Sequence, residues 1–246
     1  TGGAVALTAT QIKALGSDGI TNLSGSQIGS LSTSAVNTLS SAQIRALGTD
    51  KIASLTTTQL RALTTSAINA LTSSQLDRLD TNVSSLTSSQ IGSIATDVIK
   101  ELTSAQIEAL GTTGITALKT NQIQALDTTD IKNLTYAQIG VLTTSQINAL
   151  TSSQIAGLDA ADVGALQTNQ IKVLTNSVIN KLTSSQIRTL TSTQLQALTS
   201  SQIQALDTAG INLLSSDQIK SLSTTNIGSL SSDQIINLDR DLFGQL

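Results

Sequence analysis

The chain has 246 residues and contains neither histidine nor cysteine, which excludes the commonest general base, a thiolate nucleophile and the usual zinc ligands. Its net charge of −3 is spread thinly, which argues against nucleic acid or an anionic membrane surface as a partner, because both require basic clusters. No run of about 18 apolar residues is present, so we expect no membrane insertion, and no signal peptide is visible.

The sequence consists of variations on one phrase. Residues 182–190 read LTSSQIRTL, and close copies occupy residues 71–79, 102–110 and 198–206. We call the apolar residue three places before the closing leucine the Ile position. It recurs every eight residues from Ile12 to Leu76 and again from Ile91 to Phe243, with one residue missing near Asn82. The chain is therefore a series of octads.

A glutamine precedes the Ile position in every second octad. These residues are Gln11, Gln27, Gln43, Gln59, Gln75, Gln90, Gln106, Gln122, Gln138, Gln154, Gln170, Gln186, Gln202, Gln218 and Gln234. In the intervening octads the same place mostly holds a small or acidic residue, with Gln only at 146 and 194. The repeat unit is therefore sixteen residues in two unequal halves, about fifteen units in all. We predict that the two halves occupy different environments.

The spacing of the apolar residues predicts short helices. Apolar residues alternate at intervals of three and five, and because both are odd a strand would place them on opposite faces. In one continuous α-helix the apolar stripe would drift by about 80° per octad and bury nothing. Both problems are avoided if each octad forms a short helix and a turn between octads brings the next apolar face back to the same side.

Along the chain, a serine or threonine stands three residues before nearly every one of these glutamines. This is the capping box, in which the hydroxyl accepts the N3 amide and the Gln side chain accepts the N-cap amide. Only Lys119 and Gln167 interrupt the pattern, and because Thr-Asn-Gln follows both we expect a local alternative cap there. The predicted caps are Thr8, Ser24, Ser40, Thr56, Thr72, Thr87, Thr103, Thr135, Thr151, Thr183, Thr199, Ser215 and Ser231.

The intervening octads often begin with glycine or aspartate. Glycine suits a left-handed residue that ends the preceding helix, and aspartate suits the next N-cap. Asp127–Asp130 and Asp159–Asp162 resemble acidic versions of the same box. The glycines are Gly16, Gly48 and Gly111, and the aspartates are Asp80, Asp127, Asp159, Asp207 and Asp239.

These features predict an all-α fold, a tight solenoid of about fifteen 16-residue coils, each made of two short capped helices. A β-solenoid with 16-residue coils is the alternative. Single coils bury too little, whereas stacked coils share a core, so we expect one repeat domain spanning residues 1–246. The residue after the Ile position carries most of the positive charge, and we expect it to face water.

Phrases such as LTTSQINAL at residues 142–150 resemble the LTTAQIAAL-type arrays of very large bacterial surface proteins, often exported by type I secretion and sometimes labelled adhesins. The resemblance covers essentially the whole chain. It implies an extracellular spacer or stalk, and it carries over no active-site residue. The missing residue near Asn82 and the alternation of two halves depart from that pattern.

We predict no catalytic, cofactor-binding or metal-binding residue. Serine without histidine cannot form a triad, and the Asp pairs lack the dense oxygen ligands of a calcium loop. Capping explains the Ser/Thr content better than an ice-binding or glycosylated surface, and it explains Gln better than an amide ladder. The sequons at Asn22, Asn82 and Asn133 are near chance, and Tyr136 is predicted to be exposed and incidental.

The two ends suggest two structural hypotheses. Thr1-Gly2-Gly3 would make a poor cap, whereas residues 239–246 are rich in charge and could form a C-terminal capping segment, with Phe243 at the Ile position. The chain is then either a segment of a longer array or a protomer that stacks head to tail. We expect a non-enzymatic, rod-like extracellular structural element; the alternative is a module that binds protein, glycan or ice through one Ser/Thr-rich face.

Overall fold

The computed structural model of the protein describes residues 7–246. Within that range the chain forms twenty-nine α-helices and one 3-10 helix, and it contains no strand. The all-α prediction is confirmed, and the β-solenoid alternative is wrong. Thr1-Gly2-Gly3 lies outside the described residues.

The chain divides into two compact units, one ending at Leu126 and the other comprising Asp127–Leu246. The first unit contains α1 (Ala9–Ala14), α2 (Gly16–Thr21), α3 (Gly25–Gly29), α4 (Thr33–Asn37), α5 (Ser41–Ala46), α6 (Gly48–Ile52), α7 (Thr57–Ala62), α8 (Thr65–Asn69), α9 (Ser73–Asp77), the 3-10 helix (Asp80–Ser85), α10 (Ser88–Ile91), α11 (Thr96–Ile99), α12 (Ser104–Ala109), α13 (Gly111–Ala117) and α14 (Thr120–Ala125). The second contains α15 (Thr128–Lys132), α16 (Tyr136–Val141), α17 (Thr144–Ala149), α18 (Ser152–Gly157), α19 (Ala160–Ala165), α20 (Thr168–Lys172), α21 (Asn176–Ile179), α22 (Ser184–Thr189), α23 (Ser192–Ala197), α24 (Ser200–Ala205), α25 (Asp207–Asn212), α26 (Ser216–Lys220), α27 (Thr224–Gly228), α28 (Ser232–Ile236) and α29 (Arg240–Phe243).

The helices begin where the capping boxes predict. Thr183 is extended, with φ −72° and ψ 160°, and its Oγ1 accepts the Gln186 N–H at 3.3 Å, while Gln186 Oε1 accepts the Thr183 N–H at 2.8 Å. The same box forms at every predicted Ser and Thr cap. These two hydrogen bonds fix the start of a helix that is too short to be stable alone.

The two interrupted caps share one local substitute. The backbone carbonyl of Lys119 accepts the Gln122 N–H at 3.0 Å, and that of Gln167 accepts the Gln170 N–H at 3.0 Å. At Gln167 the carboxamide oxygen of Asn169 also accepts the Gln170 N–H, at 3.0 Å. The prediction of a local alternative is therefore confirmed at both positions, and only one of the alternatives uses the asparagine.

Glycine and aspartate begin the intervening octads in two ways. Gly16, Gly48 and Gly111 have φ of 62°, 66° and 60°, which confirms the predicted left-handed residue. Asp80 and Asp207 also have positive φ, at 47° and 51°. Neither is the extended residue of an ordinary N-cap, because the next helix starts at it. Asp207 Oδ1 nevertheless accepts the Gly210 N–H at 2.8 Å, so the predicted capping bond forms at Asp207.

The acidic capping boxes form only once. Asp127 Oδ1 accepts the Asp130 N–H at 2.8 Å and Asp130 Oδ2 accepts the Asp127 N–H at 3.0 Å, as predicted. Asp159 and Asp239 stand at N-cap positions but make no side-chain cap bond. The Asp159 carboxylate instead lies 3.8 Å from Lys132 Nζ, so the second acidic box is wrong.

The core consists of the Ile position and the closing leucine of most octads in both units. Towards the ends of the described range some of these residues are only half-buried: Leu15, Leu23, Ile227, Leu230 and Ile235. Within each unit a helix packs against the one three places further on, as in α1 with α4, α4 with α7, α15 with α18 and α19 with α22. The predicted 16-residue coil of two helices is therefore wrong. Three octads, not two, separate a helix from the one that packs against it. One turn of the chain around the apolar core therefore needs more than two octads.

The 3-10 helix accommodates the octad that lacks one residue. A 3-10 helix rises about 2.0 Å per residue against about 1.5 Å in an α-helix, so fewer residues cover the same length. Val83 at the Ile position and the closing Leu86 remain buried, at 1% and 6% exposure. The apolar register of the unit is therefore kept across the deletion.

The last helix departs from the octad pattern. In α29 Leu242 is buried, whereas Phe243, the residue assigned to the Ile position, is 54% exposed. The periodic assignment therefore fails by one residue at this helix.

Replacing Thr72 by alanine should lower the free energy of unfolding by about 1 kcal/mol, because Thr72 Oγ1 accepts the Gln75 N–H at 3.2 Å at the start of α9. Chemical denaturation followed by circular dichroism measures the change. Ser74→Ala, which removes an exposed hydroxyl two residues later, is the control and should leave stability equal or slightly higher. If both variants lost the same free energy of unfolding, the capping role of Thr72 would be contradicted.

Candidate functional site

A series of buried glutamines is the most distinctive polar feature of the described chain. They are Gln43, Gln59, Gln75, Gln90, Gln106, Gln122, Gln138, Gln146, Gln154, Gln170, Gln186, Gln194, Gln202, Gln218 and Gln234, and each is at most 8% exposed. A buried carboxamide is costly unless both its oxygen and its nitrogen form hydrogen bonds. A capping box uses only the oxygen.

The amide nitrogens of twelve of these glutamines donate to backbone carbonyls of a much earlier octad in the same unit: Gln43, Gln59, Gln75, Gln90, Gln106, Gln122, Gln170, Gln186, Gln194, Gln202, Gln218 and Gln234. Gln186 Nε2 donates to the carbonyl of Ile155 at 2.9 Å and to that of Leu158 at 2.8 Å. The Ile155 carbonyl also accepts the Leu158 N–H at 3.2 Å, so both of its lone pairs are used. One side chain therefore caps its own helix at the N-terminus and an earlier helix at the C-terminus. We call this arrangement the glutamine clasp.

The clasp has one register. Gln59 and Gln122 in the first unit, and Gln170 and Gln202 in the second, donate to carbonyls 31 and 28 residues earlier. Gln90, whose clasp crosses the octad with the missing residue, reaches 30 and 27 residues back. A clasp therefore joins its own octad to the fourth octad before it. Because four is an even number, a Gln-bearing octad is joined to another octad of the same half.

The two halves do not differ as predicted. Gln194 belongs to an intervening octad, yet it donates to Val163 and Leu166 across the same 31 and 28 residues. Where these octads lack glutamine, the equivalent residue is buried in some, as at Ala35 and Ala67, and half-buried in others, as at Lys51 and Asp162. Gln194, Ala35 and Ala67 therefore share the buried environment of the clasp glutamines, and the two halves differ in how often this residue carries a clasp.

The sequence predicted that the side-chain oxygen of each glutamine accepts the N-cap amide. It did not predict that the side-chain nitrogen donates to distant backbone carbonyls. The signal was present, because a capping box accepts glutamate as readily as glutamine, yet none of the fifteen regular positions holds glutamate. A site that excludes the isosteric acid requires a donor. In Gln186 and Gln202, for example, the amide nitrogen donates to backbone carbonyls.

A second row of donors lies on the exposed side, at the residue after the Ile position. Asn37 Nδ2, for example, donates to the Ala62 carbonyl at 2.7 Å, 25 residues further on. The position is exposed, as predicted, but several of its side chains also bind the C-terminus of the helix three places later. The others are Arg45, Asn69, Asn180, Gln196, Gln204 and Asn212.

The structure does not bring the other residues considered above together as a site. Tyr136 is 67% exposed, as predicted. In residues 7–246 no group of three or more Asp or Glu side chains could hold a metal ion. No helix in this range is long and apolar enough to cross a membrane. Asn22, Asn82 and Asn133 lie at the surface.

The carboxyl of Asp162 has a perturbed pKa. Partial burial raises the pKa of Asp162 above its ordinary value of 3.8, and the negative charge of Asp159 acts in the same direction, while a backbone hydrogen bond at Asp159 opposes them. Asp162 stands where the glutamine of a clasp would stand. This place therefore disfavours a charged acid.

The chain was compared with known proteins. The family model described as the ALTTAQ repeat matches residues 26–57, 91–128, 123–160, 179–208, 192–224 and 203–240. Together these segments cover well over half of the chain and include parts of both units. No curated protein matched the sequence.

Replacing Gln186 by glutamate should lower the free energy of unfolding by at least about 1–3 kcal/mol at neutral pH. The variant keeps the acceptor for Thr183 but loses both donors and places a negative charge beside two carbonyl oxygens. Burial and those oxygens raise the pKa of the new carboxyl in the folded state. The loss of unfolding free energy relative to the parent should therefore become smaller as the pH falls through that raised pKa. Chemical denaturation at several pH values measures this loss.

Gln204→Glu is the matched control, because Gln204 Nε2 donates to the Ser229 carbonyl at 3.0 Å from an exposed position. Water replaces that bond, so we expect a change within about 0.5 kcal/mol. Similar losses in the two variants would show that the buried nitrogen has no special importance.

Replacing Asp162 by asparagine should stabilise the protein at neutral pH. A raised folded-state pKa means that the native protein loses stability as the pH rises from 3.8 through the raised value. The advantage of the variant should therefore be largest at pH 7 and disappear below pH 3.8. Thermal unfolding at both ends of this range measures it, and a pH-independent difference would contradict the assignment.

Proposed function

The chain belongs to the ALTTAQ repeat family, and from this premise we propose that it is a non-catalytic structural element whose role is to span distance. The observation that carries the proposal is the single register of the glutamine clasp in both units. Each clasp sets the position of one octad relative to an earlier one, so added octads extend the same stacking rule. The capping Ser and Thr side chains and the clasp Gln side chains are committed to this task.

We further propose that the chain acts outside the cell, as a spacer or stalk on a bacterial surface. The support is the resemblance of phrases such as residues 142–150 to repeat arrays of large bacterial surface proteins. Labelling of intact cells by antibodies against the chain tests this location. Staining only after the cells are permeabilised would refute it.

A spacer should change its length in equal steps when repeats are removed or added. Deleting residues 183–198, or duplicating them, keeps the parity that the clasp requires. We expect the maximum dimension measured by small-angle X-ray scattering to fall and rise by the same amount, with helical circular dichroism preserved. A folded variant with unchanged dimensions would refute the spacer role.

A further inference from the structure

An open cleft of about 670 Å³ lies in the first unit. Side chains from α8, from the start of α11 and from the start of α14 line it: Thr65, Asn69, Thr96, Asp97, Lys119 and Asn121. These helices belong to successive turns of the unit, so the cleft runs across the stacking direction. Its volume is within the range of about 300–1,000 Å³ typical of small-ligand sites.

The cleft opens where the repeat is least regular. Helices α10 and α11 have four residues each, and they follow directly after the 3-10 helix. The residue after the Ile position of α10 is Gly92, which contributes no side chain to the cleft that it lines. A Cβ at Gly92 would lie 3.2 Å from the Ala117 carbonyl oxygen. Short helices and a missing side chain together leave the space unfilled.

Several of the polar groups that line the cleft keep hydrogen-bonding capacity that the fold does not use. Asn69 Nδ2 donates to the Ser93 carbonyl at 2.7 Å, which leaves its Oδ1 as an acceptor. The Asp97 carboxylate and the Lys119 ammonium form no ion pair or hydrogen bond within the described part of the chain. Lys119 stands where nineteen other helices of the described chain have a capping hydroxyl. A cation at this place does nothing for its own helix.

These groups define the chemistry of a ligand. The cleft offers acceptors from Asp97 and Asn69, donors from Lys119 and Asn121, and hydroxyls from Thr65 and Thr96, while its two charges cancel. Peptides are usually bound through apolar pockets or an added strand, and the described residues contain no strand edge. Adjacent hydroxyls of a sugar ring donate to a carboxylate and accept from an ammonium or amide at the same time.

We propose that this cleft binds an uncharged oligosaccharide of a few sugar units. Asp97 accepts hydrogen bonds from one pair of sugar hydroxyls, and Lys119 and Asn121 donate to neighbouring ones. The site adds a binding activity to the spacer and does not depend on that role.

The second unit supplies an internal comparison. Thr144, Ser145 and Asn148 occupy the octad positions of Thr65, Ser66 and Asn69, and they line a smaller cleft of about 400 Å³ with Val173. No charged side chain lines that cleft. We therefore expect no sugar to bind at this smaller cleft.

The test titrates the full chain with maltohexaose, cellohexaose, mannohexaose and chitohexaose by isothermal calorimetry, and maps any binding by NMR shifts. We expect at least one sugar to shift residues around Asp97 and Lys119 only. Asp97→Asn and Lys119→Thr should each raise the Kd of that sugar by about tenfold or more, because each removes a charged hydrogen-bonding group.

Lys119→Thr restores the hydroxyl cap used elsewhere, so the variant should fold at least as well as the parent. Gln167→Thr makes the same restoration in the second unit and is the matched control, with an expected unchanged Kd. The proposal is overturned if none of the four sugars binds, if Lys119→Thr and Gln167→Thr affect binding equally, or if gelatin, an extended polypeptide, competes for the same residues.

Discussion

A helix of five or six residues is almost entirely helix end, and this constraint governs the structure. An α-helix leaves its first four N–H groups and last four carbonyls without internal partners, so an octad has few backbone groups that its own helix satisfies. The capping box serves the first end. The clasp serves the other end from an octad four places later, as Gln186 does for Ile155 and Leu158. One carboxamide therefore couples local helix formation to long-range stacking.

This coupling explains why the repeats are stable only together. The Ile and Leu side chains of an octad are buried by the helix three places away, and its carbonyls are capped from the octad four places away. A single turn would leave both its core and its glutamine nitrogens exposed to water. Stability is then a property of neighbouring turns, and one kind of side chain specifies their register.

Departures from the repeat are where the chain acquires features beyond stacking. The octad without one residue, the short helices α10 and α11, Gly92 and Lys119 all lie within the first unit. Elsewhere the capping Ser and Thr and the clasp Gln side chains are committed to caps and clasps, and charged groups are scattered. At these irregular octads the cleft collects the Asp97 carboxylate, the Lys119 ammonium and the carboxamides of Asn69 and Asn121, of which Asn69 also donates to the Ser93 carbonyl. The proposed spacer and sugar-binding roles therefore depend on different residues.

The sequence by itself determined the local structure. The spacing of three and five required short helices, and the Ser/Thr-x-x-Gln pattern located their starts, because both signals act within one octad. It could not determine that three octads, not two, bring a helix back to its neighbour, or that Asp80 and Asp207 are left-handed. Only the tertiary structure decided these, because the turn between octads depends on packing. The role of the Gln nitrogen was hidden for the same reason, since its acceptors lie about thirty residues away.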